Sequence, residues 1–356
     1  MSAATPGPVA VGMSGGVDSS VAALLLKRAG HEVTGVFIRS WEDADGSCPA
    51  NEDAAAAAAA ADRIGVPLEA VDFTADYRER VFESFLAELR RGLTPNPDVW
   101  CNAAIKFDAF ADHALGPLGA ERFATGHYAR AEPEGRGLLK AEDEDKDQSY
   151  FLFRMPPARL AQVLFPLGGL PKAEVRRLAK EAGLPNAERP ESMGICFIGK
   201  RRLRDFLADY VELRPGAVLD ADGHTIGEHA GALLYTVGQR HGLGLGGPGE
   251  PWYVAAKDVA ANTVTAVRGR GHPALLTGKA RLVDCHWLAE PPRPEWVYTC
   301  RHRHRMEPAP CTVAAGPDGT ATVEFAAPQW AVAPGQAAVV YDGVRCLGGG
   351  AIAAAA

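Results

Sequence analysis

A glycine- and hydroxyl-rich loop near the start of the chain carries the strongest chemical signal. It reads Ser-Gly-Gly-Val-Asp-Ser-Ser and spans Ser14 to Ser20, here called the glycine loop. Glycines let backbone amides approach an anion closely, hydroxyl groups add donors, and a helix N-terminus adds positive partial charge. The loop therefore predicts a phosphate cradle, with a serine-capped tight turn as the plain alternative. It lacks the lysine of a Walker loop and the spacing of GxGxxG.

A second segment, from Thr94 to Asn102, places a cysteine and a carboxylate close together in the sequence TPNPDVWCN. We expect Cys101 at the start of a helix, where the helix dipole favours the thiolate over the thiol. Asp98 lies three residues earlier and could act as a positioned acid or base. The structural alternative is an ordinary turn followed by a buried cysteine.

A third segment, from Glu191 to Ile198, contains Cys196 among apolar neighbours. A cysteine in such surroundings is more often a core residue than a reactive one. In isolation, this segment therefore favours a packing role.

The elements that must position these residues alternate between strand and helix in the first half of the chain. Strands are predicted at residues 9–13, 33–38, 68–73 and 122–125, and helices at 51–64, 77–90 and 105–115. A further helix follows the glycine loop, and the last one has Pro171 as its first residue. This alternation predicts an α/β fold with a doubly wound parallel sheet that helices cover on both faces.

After about residue 200 the pattern changes to short β-like runs separated by glycine-rich turns. We therefore expect a catalytic domain at residues 1–199, a small β-rich domain at 200–273 and a β-barrel at 274–356. The length of 356 residues accommodates two or three such domains.

Composition narrows the class of protein. With 47% apolar and 23% charged residues, the chain is that of an ordinary globular protein. The net charge of −7 excludes a surface that is cationic overall, although a local basic patch remains compatible with it. The distribution of apolar residues along the sequence predicts neither a membrane span nor a secretory signal. The seven scattered cysteines indicate a reducing, cytoplasmic location. Ten histidines without paired-ligand spacing predict no metal site.

The motifs occur in an order that resembles bacterial tRNA-specific 2-thiouridylases, members of the PP-loop ATP pyrophosphatase superfamily. They are the glycine loop, NPDVWCNAAIKF at 96–107, GHYAR at 126–130, DQSYFL at 147–152, ICFIG at 195–199 and YTVGQRHG at 235–242. The resemblance runs from about residue 9 to the glycine run at 348–350, which is nearly the whole chain.

This resemblance implies that the chain binds ATP, with magnesium held in part by Asp18. Ile38 stands where a methionine is common in the family. The implied ATP-binding residues are Gly12, Met13, Ser14, Gly15, Gly16, Val17, Asp18, Ser19, Ile38 and Gly126.

The resemblance also implies the reaction, which is ATP-dependent 2-thiolation of the wobble uridine of tRNA. Adenylation of the C2 oxygen turns a poor leaving group into AMP, which departs easily when sulfur attacks the same carbon. Cys196 would carry the persulfide, and Cys101 would release the sulfur by closing a disulfide with it. Asn96, Pro97 and Asp98 would meet the target base. A sulfur-donating protein, either a cysteine desulfurase or a relay carrier, is the implied partner.

RNA binding by an acidic chain requires local positive charge. The best clusters are residues 200–204 and 301–305, although runs of charge are more often simply solvated faces. The resemblance favours as tRNA contacts His127, Lys146, Asp147, Gln148, Arg303, His304 and Gln336.

Two other functions share part of this pattern. Another PP-loop adenylating ligase would use the glycine loop but would have no use for Cys101 and Cys196. A tRNA-binding protein that keeps nucleotide as a structural ligand would place no chemical demand on Asp18, Asp98 or the two cysteines.

Overall fold

The structure is a computed structural model that describes residues 6–41, 50–190 and 201–355. Its first part is built on a parallel sheet in the order β3-β2-β1-β4-β7. The strands are β1 (Pro8–Gly12), β2 (Glu32–Arg39), β3 (Leu68–Asp72), β4 (Arg122–Ala124), β5 (Ala129–Ala131), β6 (Leu138–Lys140) and β7 (Val163–Leu164). The helices are α1 (Val17–Arg28), α2 (Ala50–Ile64), α3 (Thr74–Tyr77), α4 (Glu83–Arg90), α5 (Pro97–Cys101), α6 (Phe110–Leu115), α7 (Ser149–Leu152) and α8 (Lys172–Glu181).

Helices cover both faces of this sheet, as the alternating pattern predicts. On one face α1, α2 and α8 pack through small and β-branched residues such as Val21, Ala57 and Val175. On the other face, Phe107 and Phe110 are fully buried against the strands. The alanine run of α2 lets that helix lie close to its neighbours, so it forms a packed helix and not a disordered tract.

The order of the strands locates the crevice where a ligand can bind. Strand β1 lies between β2 and β4. After β1 the chain adds β2 and β3 on one side of it, and later adds β4 and β7 on the other side. In open parallel sheets such a switch point leaves a cleft beyond the carboxyl ends of the central strands. The glycine loop follows β1 and Gly126 follows β4, so both lie at this cleft.

Two helix boundaries differ from the sequence prediction. The helix expected at residue 105 begins at Pro97, and a π-helical segment (Asn102–Ala109) joins α5 to α6. Asn96 is extended and serves as the N-cap residue, and a proline in the first helical position loses no hydrogen bond. Pro171 precedes α8 as its N-cap residue, in an extended conformation, and is not the first residue of that helix.

The central part of the chain forms a small separate sheet in the order β10-β11-β8-β9. It follows the short helix α9 (Leu203–Leu207) and has a core that includes Val218, Val254 and Val264. The strands are β8 (Gly216–Leu219), β9 (Thr225–His229), β10 (Trp252–Asp258) and β11 (Thr263–Arg268).

The last part is a closed barrel, which confirms the predicted fold class. Between residues 276 and 355 six strands close on themselves, because β12 pairs with both β15 and β17. They are β12 (Leu276–Trp287), β13 (Tyr298–Arg301), β14 (Ala309–Ala315), β15 (Ala321–Trp330), β16 (Ala337–Asp342) and β17 (Arg345–Ala355).

A hairpin from the first part of the chain extends the barrel sheet, which the sequence did not indicate. Strands β5 and β6 form the hairpin, and β6 pairs with the start of β17 through Leu139 with Arg345 and Leu138 with Cys346. The first part of the chain and the barrel therefore share one sheet, and this sharing fixes their relative placement.

A buried histidine makes the barrel sensitive to acid. His302 is fully buried, and among the described residues neither of its ring nitrogens has a hydrogen-bond partner. Burial lowers the pKa of His302 to about 4. In the unfolded chain this histidine has a pKa of about 6.5, so between pH 6.5 and pH 4 the unfolded state binds more protons than the folded state. The free energy of unfolding therefore falls as the pH drops through this range, by about 3 kcal/mol in total.

We therefore expect His302→Leu to remove part of the loss of stability between pH 7 and pH 4.5. The measurement is the free energy of unfolding in urea at each pH. The control is His241→Leu, because His241 is exposed. An unchanged pH dependence in His302→Leu would contradict the assignment.

Candidate functional site

The glycine loop folds back onto the first turn of α1. Gly15 has φ +78°, and a Cβ there would lie 2.3 Å from the carbonyl oxygen of Asp53, so only glycine fits. The amide of Ser14 donates to Ser19 Oγ at 3.1 Å, and Ser19 Oγ donates to the carbonyl of Gly16 at 3.1 Å. The first amides of α1 lack acceptors within the helix, so they can hold an anion at the cleft.

Neighbouring elements hold the loop in this shape. A Cβ on Gly126 would lie 2.6 Å from the amide nitrogen of Ser19, so the end of β4 touches the start of α1. Asn186 Nδ2 donates to the carbonyl of Gly15 and to Ser20 Oγ, both at 2.9 Å. Arg189 donates to the same Gly15 carbonyl at 3.2 Å and pairs with Asp53. The cradle is thus preorganised.

Asp18 lies in a polar cluster at the N-terminus of α1. Lys172 Nζ donates to its two carboxylate oxygens at 2.7 and 2.8 Å, and the Tyr128 hydroxyl donates to Oδ1 at 2.9 Å. Lys172 therefore places a cation beside the glycine loop. The sequence analysis missed both partners, because Lys172 is 154 residues from Asp18 and no local motif connects them.

The other predicted loop residues lie at the same edge of the sheet. Gly12 ends β1, and the buried Met13 donates its amide to the Val36 carbonyl at 2.8 Å. Val17 begins α1. Ile38 is half-buried near the end of β2, opposite Val71 of β3.

The second predicted group is carried by helix α5. Asn96 is its N-cap residue, Pro97 and Asp98 form its first turn, and Cys101 is its last residue before the π-helical segment. Cys101 is therefore in the first one and a half turns, slightly further from the helix start than expected. Its side chain is buried in an apolar cluster that includes Phe82 and Phe206.

Lys106 connects Asp98 electrostatically to His127. Burial raises the pKa of the Asp98 carboxyl, and the positive charge of Lys106 opposes this shift. Burial lowers the pKa of His127 well below its usual value, and Lys106 lowers it further. His127 is therefore neutral at pH 7; its Nδ1 lies 2.8 Å from Thr125 Oγ1. The sequence contained Lys106 within the second motif but gave no role for it.

The segment after β4 lies between the two predicted groups. His127 directly follows Gly126, whose backbone touches Ser19, and the charge of Lys106 acts on both His127 and Asp98. The ring of His127 also lies 5.7 Å from the ring of Phe107 in the segment that follows α5, so the chain after β4 contacts both the glycine loop and that segment.

Cys196 and Lys200 lie outside the described residues, but the residues up to 190 and from 201 onward are described. Arg189, seven residues before Cys196, contacts the glycine loop. Phe206, ten residues after it, packs in the same apolar cluster as Cys101.

Asp147 differs from its expected role as an RNA contact. Its carboxylate is buried and accepts hydrogen bonds from the amides of Ala141 and Ser149, at 3.1 and 3.2 Å. Arg301 Nη1 lies 3.0 Å from Asp147 Oδ2, in a buried ion pair between the catalytic domain and the barrel. The Asp147 side chain therefore holds the two domains together and does not face solvent. Its half-buried neighbour Lys146 is the more accessible of the two.

The other predicted tRNA contacts are half-buried, and those from the barrel contact other domains. His304 Nε2 lies 3.1 Å from the Asp147 carbonyl oxygen, and Gln148 Oε1 accepts from the Tyr128 amide at 2.9 Å. Arg303 donates to the Val237 carbonyl and lies 6.0 Å from the ring of Trp330. Because this acceptor is neutral, the contact leaves the charge of Arg303 uncompensated.

A surface turn contains one grouping of ligand-type atoms that the sequence analysis did not predict. Atoms of Asp220, Asp222 and His224 lie within 4.8 Å of one another. Asp220 Oδ1 accepts from the amides of Asp222 and His224 at 3.0 and 2.9 Å, so turn hydrogen bonds account for the arrangement.

The helices in the described parts of the chain are all too short or too polar to span a membrane.

Comparison with known proteins covers all three parts of the chain. Residues 7–200 match a family model described as the tRNA methyl transferase HUP domain. Residues 204–268 match its PRC-barrel domain, and residues 277–352 match an aminomethyltransferase beta-barrel domain.

Curated relatives match over nearly their full length. A protein of Methylobacillus flagellatus named tRNA-specific 2-thiouridylase MnmA is 51% identical, with 98% of this chain and 99% of that protein covered. Proteins of the same name from Aromatoleum aromaticum and Ralstonia pickettii are 52% and 53% identical, and each match covers at least 96% of both chains.

Proposed function

The chain belongs to the tRNA-specific 2-thiouridylase family, and from this membership we propose that it replaces the C2 oxygen of the wobble uridine of tRNA with sulfur. The reaction would use ATP to activate the oxygen and a cysteine persulfide to supply the sulfur. The observation that carries the proposal is the contact of Gly126 with the glycine loop and of the next residue, His127, with Phe107, which follows the short helix that bears Asp98 and Cys101.

The residues at the cleft fit the phosphates of ATP. The glycine loop offers backbone amides, and the absence of a Cβ on Gly126 leaves room for the close approach of β4 to α1. Lys172 adds a cation that can move from Asp18 toward phosphate oxygens. Asp18 fits magnesium, because that ion prefers carboxylate and phosphate oxygens as ligands. Magnesium would supply charge neutralisation at the phosphates.

Asp98, Lys106 and His127 fit the activation of an uncharged base. Neutral His127 and cationic Lys106 offer hydrogen-bond donors, and burial raises the pKa of the Asp98 carboxyl, which favours a role for it in proton transfer. The C2 oxygen of uridine would attack the α-phosphorus of ATP and expel pyrophosphate. The resulting C2–O–AMP linkage makes AMP the leaving group.

Sulfur transfer then requires two thiols. The terminal sulfur of a Cys196 persulfide would attack C2, the C–O bond would break, and AMP would leave. The Cys101 thiolate would attack Cys196 Sγ, which frees 2-thiouridine and forms a Cys101–Cys196 disulfide. An external thiol would reduce this disulfide, and a sulfur-donating protein would reload Cys196.

Neither rival function uses the whole arrangement. A PP-loop ligase that activates a carboxylate has no step for a thiol at Cys101. A tRNA-binding protein without catalysis gains nothing from burying Asp98 beside Lys106 at the rim of a nucleotide cleft.

The proposed function is tested by incubating the protein with ATP, magnesium, a persulfide donor and unmodified tRNA. Nucleoside mass analysis should show 2-thiouridine, with one AMP and one pyrophosphate per sulfur inserted. Formation of 2-thiouridine without ATP, or ATP cleavage without thiolation, would contradict the proposal.

A separate prediction concerns Arg303, a proposed tRNA contact on the barrel. Arg303→Ala should weaken tRNA binding about ten-fold and reduce the slope of log affinity against log salt by about one, because one phosphate contact is lost. Binding is measured by filter retention at several salt concentrations. The control is Arg281→Ala, because Arg281 is an exposed cation on strand β12 of the same barrel. Equal effects of the two variants would count against a specific role for Arg303.

A further inference from the structure

The segment that leads into helix α5 is held by the barrel. The Thr94 amide donates to the carbonyl of Pro334 at 2.8 Å, and Gln336 Nε2 donates to the carbonyl of Thr94 at 2.8 Å. A Cβ on Gly335 would lie 2.5 Å from the Thr94 nitrogen, so the two backbones touch. The barrel thus fixes both polar groups of the Thr94 backbone, two residues before Asn96.

The central domain reaches the same segment through one side chain. Lys257 of β10 donates from Nζ to the Leu93 carbonyl at 3.2 Å and lies 3.4 Å from Thr94 Oγ1. Both acceptors are neutral, and burial alone lowers the pKa of Lys257 to about 8. Burying an ammonium group against neutral oxygens opposes folding, so packing stability does not explain a lysine at this place.

Apolar packing does not hold the segment on this side either. All three domains line a partly open cavity of about 240 Å³ here. Its walls include Thr94 from the catalytic domain, Val237 and Lys257 from the central domain, and Leu275 and Val332 from the barrel. With open space beside it, the segment depends on hydrogen bonds for its placement.

The segment continues directly into the residues that would meet the target base. Two prolines, Pro95 and Pro97, flank Asn96 and limit its backbone freedom. Asn96 is itself the N-cap residue of α5, so its placement sets where that helix begins. A displacement of Leu93 and Thr94 would therefore move the NPD segment (Asn96–Asp98).

We propose that Lys257 is a positioning residue for 2-thiolation, which ties the central domain to Leu93 and Thr94 and so holds the NPD segment in its reactive place. The inference rests on the proposed function and adds a residue outside the motifs that carry it. Lys257 acts through the backbone of residues 93–94 and touches neither the base nor the nucleotide.

The test is Lys257→Met, which keeps the unbranched shape and most of the length of the side chain and removes its donor and charge. We expect the single-turnover rate of thiolation at saturating tRNA to fall about ten-fold, because small misplacement of reacting groups is costly. The dissociation constant for tRNA should stay within about two-fold. Backbone amide exchange at Thr94 should accelerate in the free protein. Lys257→Arg retains a donor, so it should keep at least about half the wild-type rate.

The matched control is Lys279→Met, because Lys279 is an exposed lysine that pairs with Glu324 on the barrel surface. Loss of tRNA affinity with an unchanged saturated rate would overturn the inference, since Lys257 would then be an RNA contact. An unchanged rate with unchanged exchange would overturn it as well. If the wild-type protein does not thiolate tRNA, the proposed function fails, and the exchange measurement still decides whether Lys257 holds the segment.

Discussion

Replacing Cys101 with serine is expected to reduce 2-thiolation of tRNA at least about 1,000-fold. A serine oxygen cannot attack Cys196 Sγ to form a disulfide, so the sulfur stays on the protein. Cys101 is buried at the end of α5, and serine is of similar size, so the fold should persist. ATP binding and tRNA binding should change by less than about two-fold, since neither involves the thiol.

The measurement is the yield of 2-thiouridine per enzyme in a single turnover, with affinity for ATP and tRNA determined in parallel. Cys285→Ser is the matched control, because Cys285 is a half-buried thiol of the barrel with a pKa raised to about 11 by burial. Full activity of Cys101→Ser would remove the two-thiol mechanism.

Replacing Gly126 with alanine is expected to weaken ATP binding by about 5- to 150-fold, the range that corresponds to about one to three kcal/mol of overpacking. The added Cβ would lie 2.6 Å from the Ser19 nitrogen and 2.9 Å from the Asp18 carbonyl carbon, and both are backbone atoms. The start of α1 must therefore move away from β4, which distorts the phosphate cradle.

Calorimetric titration with ATP and magnesium measures this effect. The control is Gly169→Ala in the same domain, where an added Cβ meets nothing within 4 Å. Affinity for tRNA should be almost unchanged in both variants. Wild-type ATP affinity in Gly126→Ala would show that the nucleotide does not use this cradle.

The sequence predicts those parts of the site that depend on local chemistry. Gly15 and the hydroxyl residues of the glycine loop are recognisable because their types are needed for a turn with positive φ before a helix. The parallel sheet follows from the alternation of buried strands and amphipathic helices. Asp98 and Cys101 are recognisable because they occupy one short motif.

Contacts between distant segments were not predictable in the same way. Lys172 reaches Asp18 across 154 residues, and β6 pairs with β17 although neither strand carries a signal for its partner. The helix predicted from residue 105 begins earlier, at Pro97, because a proline fits the first turn of a helix as well as a loop. Asp147 was assigned to RNA binding from its motif, but its burial depends on Arg301 in the barrel.

The most direct test of the account follows the C2 oxygen of the wobble uridine. A tRNA carrying ¹⁸O at that atom is incubated with the protein, ATP, magnesium and a persulfide donor, and the AMP is analysed by mass spectrometry. We predict AMP heavier by one ¹⁸O label, in amounts equal to the 2-thiouridine formed, because the oxygen leaves bonded to phosphorus. Unlabelled AMP in the presence of 2-thiouridine would contradict activation by adenylation.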